Sequence, residues 1–140
     1  MLSLIRVLGS LERQLTQHLE SVLATEGLNI DQWRVLELLA DGVGLPMSRI
    51  AHHLLVPGAT LTKIVDRLTD ASLVYRRVDQ ADRRRVLVLL GDRGQLVYHR
   101  LSPMARRVER EFLVEIGVDP KMMYQILGQV AKARLLQPRA

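Results

Sequence analysis

The hydrophobic period of this chain switches from helical to strand-like after Ser72, and that switch limits the fold more than any other feature. Just upstream, Leu61, Ile64, Val65 and Leu68 recur at three-to-four spacing, while Thr60, Thr62, Lys63, Asp66 and Arg67 occupy the other face. That is the pattern of a helix half buried against its neighbours. Just downstream, Leu73-Val74-Tyr75-Arg76-Arg77-Val78 and Val86-Leu87-Val88-Leu89-Leu90 are β-branched or apolar runs of strand length, separated by Asp79-Gln80-Ala81-Asp82-Arg83-Arg84-Arg85. Two strands joined by a charged loop predict a hairpin behind a helix.

Around this unit the helical period dominates. Leu4, Leu8, Leu11, Leu15 and Val22, with Leu19 adjacent, predict an amphipathic helix over about residues 2–25 that ends at Gly27. Asn29 or Asp31 can cap a second helix carrying Trp33, Val35, Leu36, Leu38 and Leu39, which Asp41-Gly42-Val43-Gly44 stops. Met47 or Ser48 opens a short third helix through Ile50, Ala51, Leu54 and Leu55, with Ser48 as its cap, and Val56-Pro57-Gly58 breaks it before the helix that bears Leu61. Beyond the hairpin, Leu96, Val97, Leu101, Met104, Val108 and Phe112 mark a long fifth helix with Asp92 near its start. Asp119-Pro120 then opens a sixth through Met123, Ile126, Leu127, Val130 and Ala131.

The expected fold is therefore mainly α with a small β-hairpin wing. At 140 residues and 48% hydrophobic content the chain can bury one core, so a single domain over 1–140 is expected. Its winged helix-turn-helix part lies at about 31–90. The end helices, about 2–25 and 92–137, are more apolar than a small central core can bury and predict dimerisation through them.

A formal charge of +5 favours a polyanionic partner, and nucleic acid or an anionic membrane surface both fit. The N-terminal helix has Arg6, Glu12, Arg13 and Glu20 on its polar side rather than a basic stripe, which argues against a membrane. No signal peptide or spanning segment is expected, and the absence of cysteine excludes disulfides, thiolate metal sites and thiol redox sensing; a cytoplasmic setting follows as the expectation. Without a nucleophile elbow, a glycine-rich phosphate loop after a strand, or paired carboxylates on a rigid cleft, no enzyme activity and no cofactor are expected. His52 and His53 are adjacent and point about 100° apart on a helix, so no metal site is expected there, and His18 and His99 read as packing or surface groups.

The short helix pair has the form that a major groove admits. Gly58 and Ala59 let backbone approach phosphates, and Thr60, Thr62, Lys63 and Arg67 project from the second helix toward phosphates or base edges. The hairpin strengthens that reading. Arg76, Arg77, Arg83, Arg84, Arg85 and Arg93 stand against only Asp79, Asp82 and Asp92, and the three consecutive arginines fall at the loop tip, where guanidinium groups can enter a minor groove. Asp82 would repel a phosphate and is assigned the support of the loop. A protein-interaction module, with the basic hairpin incidental, is the competing class.

These segments resemble the MarR family of transcription regulators. The likeness runs through Gln32-Trp33-Arg34-Val35-Leu36-Glu37-Leu38-Leu39, Ile50-Ala51, the stretch from Thr60 to Leu68, Leu73-Val74 and the stretch from Asp79 to Val88. Its most specific piece is Asp82-Arg83-Arg84-Arg85-Val86-Leu87-Val88 followed by Gly94. The resemblance implies a homodimer with interlocked terminal helices, gripping successive turns of a pseudo-palindromic double-stranded operator and commonly repressing its own or neighbouring genes. It places Thr60, Thr62 and Lys63 on the recognition helix, Arg84 in the minor groove and Asp82 as the wing-orienting acid. It also implies a small aromatic or phenolic effector between the dimerisation and DNA-binding parts, for which Leu11, Leu15, Trp33 and Val97 are the candidate lining. Two departures stand out. Leu90-Gly91-Asp92 replaces the usual Leu-Thr before the fifth helix, so that Asp92 must serve as cap, and Ser72 stands where a glycine commonly precedes the Leu, making a left-handed turn there less favourable.

Overall fold

The structure, a computed structural model, describes residues 1–135. Nine elements follow in chain order: α1 (Leu4–Ala24), α2 (Ile30–Leu38), β1 (Leu45–Pro46), α3 (Met47–Leu54), α4 (Gly58–Asp70), β2 (Val74–Val78), β3 (Val86–Leu90), α5 (Asp92–Glu115) and α6 (Pro120–Leu135). The expected six helices and hairpin are present. The part of the expected C-terminal dimerisation segment at 136–137 lies outside the described residues.

The helix boundaries follow local chemistry. At α2, Asn29 Oδ1 accepts from the Gln32 N–H at 2.9 Å and Gln32 Oε1 accepts from the Asn29 N–H at 2.9 Å, a reciprocal capping box that settles the choice for Asn29 over Asp31. Ser48 does not cap α3: the helix begins one residue earlier, Pro46 holds the cap position with extended backbone, and no side chain bonds to it. Nor does Asp92 cap α5. It is the first helical residue, behind Gly91, where its carboxylate faces the positive end of the helix dipole without a capping bond. Ser72 does adopt the left-handed conformation, φ +60°, and its N–H donates to the Thr69 carbonyl at 2.9 Å, so the turn out of α4 is made despite the missing glycine.

The sheet holds one strand more than expected. β3 lies in the middle, antiparallel to β2 from Val74↔Leu90 to Val78↔Val86, and on its other edge to β1 through Leu45↔Val88 and Pro46↔Leu87. A two-residue strand containing proline carries no periodicity to read. Proline is tolerated because it sits on the sheet edge.

One apolar cluster joins the elements from α1 to α5. Leu23, Val35, Leu36, Leu39, Ile50, Leu61, Val65, Leu68 and Val88 are fully buried, and Trp33, Val97 and Leu101 nearly so. The hairpin is seated on α5 with little clearance. A β-carbon at Gly94 would fall 2.0 Å from the Leu73 carbonyl oxygen, so only glycine lets the helix pass there. Glu26, just beyond α1, and Arg100 of α5 form a two-point ion pair at 2.8 and 3.1 Å that holds the Glu26 carboxyl below its ordinary pKa. The ends are different: Leu4, Ile5 and Leu8 of α1 and Met122, Ile126, Leu127 and Val130 of α6 remain exposed.

Candidate nucleic-acid interface

α3 and α4 are joined by Leu55, Val56 and Pro57. Leu55 takes the left-handed conformation, φ +54°, its N–H donates to the His52 carbonyl, and Pro57 then starts α4. The chain thus turns sharply between two short helices. The inner face of α4 is consumed by Leu61, Val65 and Leu68, which leaves Gly58, Ala59, Thr60, Thr62, Lys63 and Arg67 on the exposed side. A β-carbon at Gly58 would meet nothing within 4 Å, so the protein's own packing does not require glycine there. Thr62 Oγ1 donates back to the Gly58 carbonyl at 2.9 Å, which uses its proton and leaves its methyl group and oxygen lone pairs outward. Lys63 has no acidic partner among the described residues.

The loop of the hairpin is an ordered turn. The Asp79 N–H donates to the Arg85 carbonyl at 2.9 Å and the Arg85 N–H to the Asp82 carbonyl at 3.0 Å, closing the loop at two levels. Asp79 Oδ1 accepts from the Ala81 N–H at 2.9 Å, and Asp82 Oδ1 accepts from both the Arg84 N–H at 3.1 Å and Arg84 Nε at 3.2 Å. Asp82 therefore grips the base of the guanidinium from behind, while the Arg84 side chain remains 92% exposed. Arg85 Nε lies 3.9 Å from Asp79 Oδ2, a looser ion pair, and Arg83 is exposed with no ion pair among the described residues.

Asp66 and Arg76 escaped the sequence reading as a pair. Arg76 Nη2 donates to Asp66 Oδ1 at 2.7 Å and Nη1 to Thr69 Oγ1 at 3.2 Å, tying the first strand of the wing to the outer face of α4. Opposite charges ten residues apart could have suggested it only once the strand was known to fold back over the helix.

The four expected effector-lining residues do not converge on one cavity. Trp33 and Val97 are each 2% exposed in the core, Trp33 stacking on Tyr98 with ring centroids 5.4 Å apart. Leu15 is half-buried against that core and Leu11 half-buried on α1. A groove of about 520 Å³ does lie between α1 and α5, but its walls are Gln17, His18, Ser21, Val108, Glu111, Phe112 and Glu115. His18 packs edge-on against Phe112 there, and no cluster of three or more metal-ligating side chains occurs among the described residues. No helix in the described residues is long and apolar enough to cross a membrane.

A helix pair turned about Leu55–Pro57 and followed by an arginine-tipped hairpin defines the winged helix-turn-helix class. Residues 26–85 match the model of the MarR family. Over 93 residues the chain is 29% identical to the HTH-type transcriptional regulator MhqR of Bacillus subtilis, a match spanning 66% of this chain and a little under two thirds, 64%, of MhqR. The fold is that of the transcriptional regulator PA4135, with a TM-score of 0.82 at 22% identity over 99% of this chain and all of the other. It is likewise that of NadR solved with 4-hydroxyphenylacetate (TM-score 0.78, 22% identity, 96% of each chain). The Staphylococcus aureus MepR–DNA complex superposes with a TM-score of 0.74 at 19% identity, over 98% of this chain and 100% of that one. Over its winged helix-turn-helix unit the chain thus matches the MarR family of transcription regulators, and it shares the fold of that family's solved members. Members of that family are regulators, not enzymes.

Proposed function

We propose that the protein binds a pseudo-palindromic operator in double-stranded DNA as a homodimer and represses the adjoining gene. In this reading α4 enters the major groove, with Gly58 and Ala59 against phosphate and Thr60, Thr62, Lys63 and Arg67 toward bases and backbone. The wing follows the neighbouring minor groove, with Arg84 in the groove and Arg83 and Arg85 also toward the DNA. The observation that carries it is the side chain of Arg84, almost wholly in solvent yet held at its root by Asp82: an oriented cation at a loop tip suits the negative potential of a narrow minor groove. The MepR–DNA complex, of the same fold, supports a DNA partner. Exposed apolar side chains on α1 and α6 support a second copy, because association removes such side chains from water.

Responsiveness to a small aromatic or phenolic effector is the second part of the proposal, supported by the solved complex of NadR with 4-hydroxyphenylacetate. With Trp33 and Val97 taken up in the core, Leu11 and Leu15 are the members of the expected lining that retain surface to offer such a molecule.

Selection from random-sequence duplexes tests the DNA reading. Enrichment of two inverted half-sites one helical turn apart, about 10 base pairs centre to centre, is the expected result. Recovery of unrelated sequences, or of none, contradicts it.

A further inference from the structure

The short strand β1 has a consequence for the interface. By pairing with β3 it brings the first turn of α3 beside the foot of the wing, since Pro46, the residue before α3, lies opposite Leu87, one residue after the second strand of the wing begins. Between these elements opens a cleft of about 540 Å³ walled by Pro46, Met47, Ser48, Arg49, Arg85 and Val86. Two of the six are cations and none is an acid. Arg49 is exposed and has no acidic partner among the described residues, whereas Arg85 has only the 3.9 Å contact with Asp79. Two guanidinium groups from separate elements thus line one open cleft whose remaining walls are apolar or a hydroxyl.

We infer that this cleft seats a phosphate of the DNA backbone between Arg49 and Arg85, with the Ser48 hydroxyl as an additional donor. The inference rests on the proposed DNA reading; it adds a contact from the start of α3 and gives Arg85, at the base of the loop, a backbone phosphate as its partner. A phosphodiester supplies the anionic oxygens that two forked guanidinium groups match, and the cleft has room for its flanking sugars. The first helix of a helix-turn-helix crosses the backbone, so a phosphate is the part of a duplex that α3 meets. Because one of its walls is the start of α3 and the other the foot of the wing, a phosphate held here fixes the register of the wing relative to the helix-turn-helix. It carries no base information.

The test is fluorescence anisotropy of wild-type and Arg49→Gln protein on the duplex recovered by selection and on an unrelated duplex, each over a series of salt concentrations. Arg49→Gln is expected to weaken binding to both duplexes by the same factor, about 5- to 10-fold. The slope of log K against log salt should become shallower by about one, with the preference between duplexes unchanged. Arg49→Lys, which keeps the charge without the fork, should recover part of the loss. Arg49 is exposed, so an unchanged unfolding midpoint separates this effect from misfolding. Wild-type affinity in Arg49→Gln, alongside an impaired Arg84→Ala, overturns the inference and leaves the DNA reading standing. A loss confined to the selected duplex also overturns it, because Arg49 would then be reading bases. Failure of the wild-type protein to bind either duplex defeats the DNA reading itself.

Discussion

Gly94 and Ser72 show how single residues set the seat of the wing. Both lie where the hairpin leaves the helical layer: Ser72 directly precedes Leu73, whose carbonyl accepts from the Gly91 N–H at 2.9 Å, and Gly94 passes that same oxygen with no room for a side chain. Replacing Gly94 by Ala is expected to destabilise the protein by about 1–3 kcal/mol, since helix or strand must shift to admit the methyl group. Urea denaturation checks it, and an unchanged midpoint would mean that the close approach is relieved at no cost. Gly94 was visible in the sequence as part of a motif, but its reason was not, because the neighbour that forbids a side chain is 21 residues upstream. Ser72 was read as an unfavourable place for a left-handed turn, and the chain makes that turn anyway. Local preference yields there to Leu73 and Val74, each 3% exposed, whose burial requires the reversal.

Among the elements, helices were legible to within a few residues wherever an apolar stripe met a recognisable end. The Asn29 capping box and the Pro57 break are cases in which chemistry within four residues decides the boundary. β1 was not legible, since its two residues are a strand only because β3 offers an open edge. The contact of α6 with α5 was equally hidden. Tyr124 of α6 donates its hydroxyl proton to Glu109 of α5 at 2.8 Å, and partial burial, reinforced by that bond and by the Glu109 charge, pushes the phenol up to about 12. An unfolded tyrosine ionises near 10. The neutral phenol is therefore favoured by folding: its contribution is complete below about pH 10 and is lost as the pH rises through 12. The stability of the wild-type protein should fall across that window, and Tyr124→Phe should flatten the fall in a pH series of denaturation curves. Parallel wild-type and variant curves would show that this phenol is not the group responsible.

At the scale of the whole molecule, the interface residues were easier to name than to arrange. Thr60, Thr62, Lys63 and the arginines at 83–85 could be picked from exposure and charge, whereas the Asp82–Arg84 grip, the Asp66–Arg76 tie and the Arg49–Arg85 cleft depend on chain segments meeting in space. The effector lining was the least legible, because an apolar residue facing a pocket and one facing the core look alike in a sequence; Trp33 and Val97 face the core. The proposed dimer draws on Ile126, Leu127 and Val130, each about half exposed in the single chain. Leu127→Glu should accordingly shift the sedimenting species toward a monomer and weaken operator binding with it, whereas a variant that stays dimeric would place the contact elsewhere. The central claim is that an Asp82-oriented Arg84 reaches the minor groove, and its most direct test is the salt dependence of binding to the selected duplex by wild-type and Arg84→Ala protein. The variant should lose affinity and show a shallower slope of log K against log salt, while equal affinity and equal slope would contradict the claim.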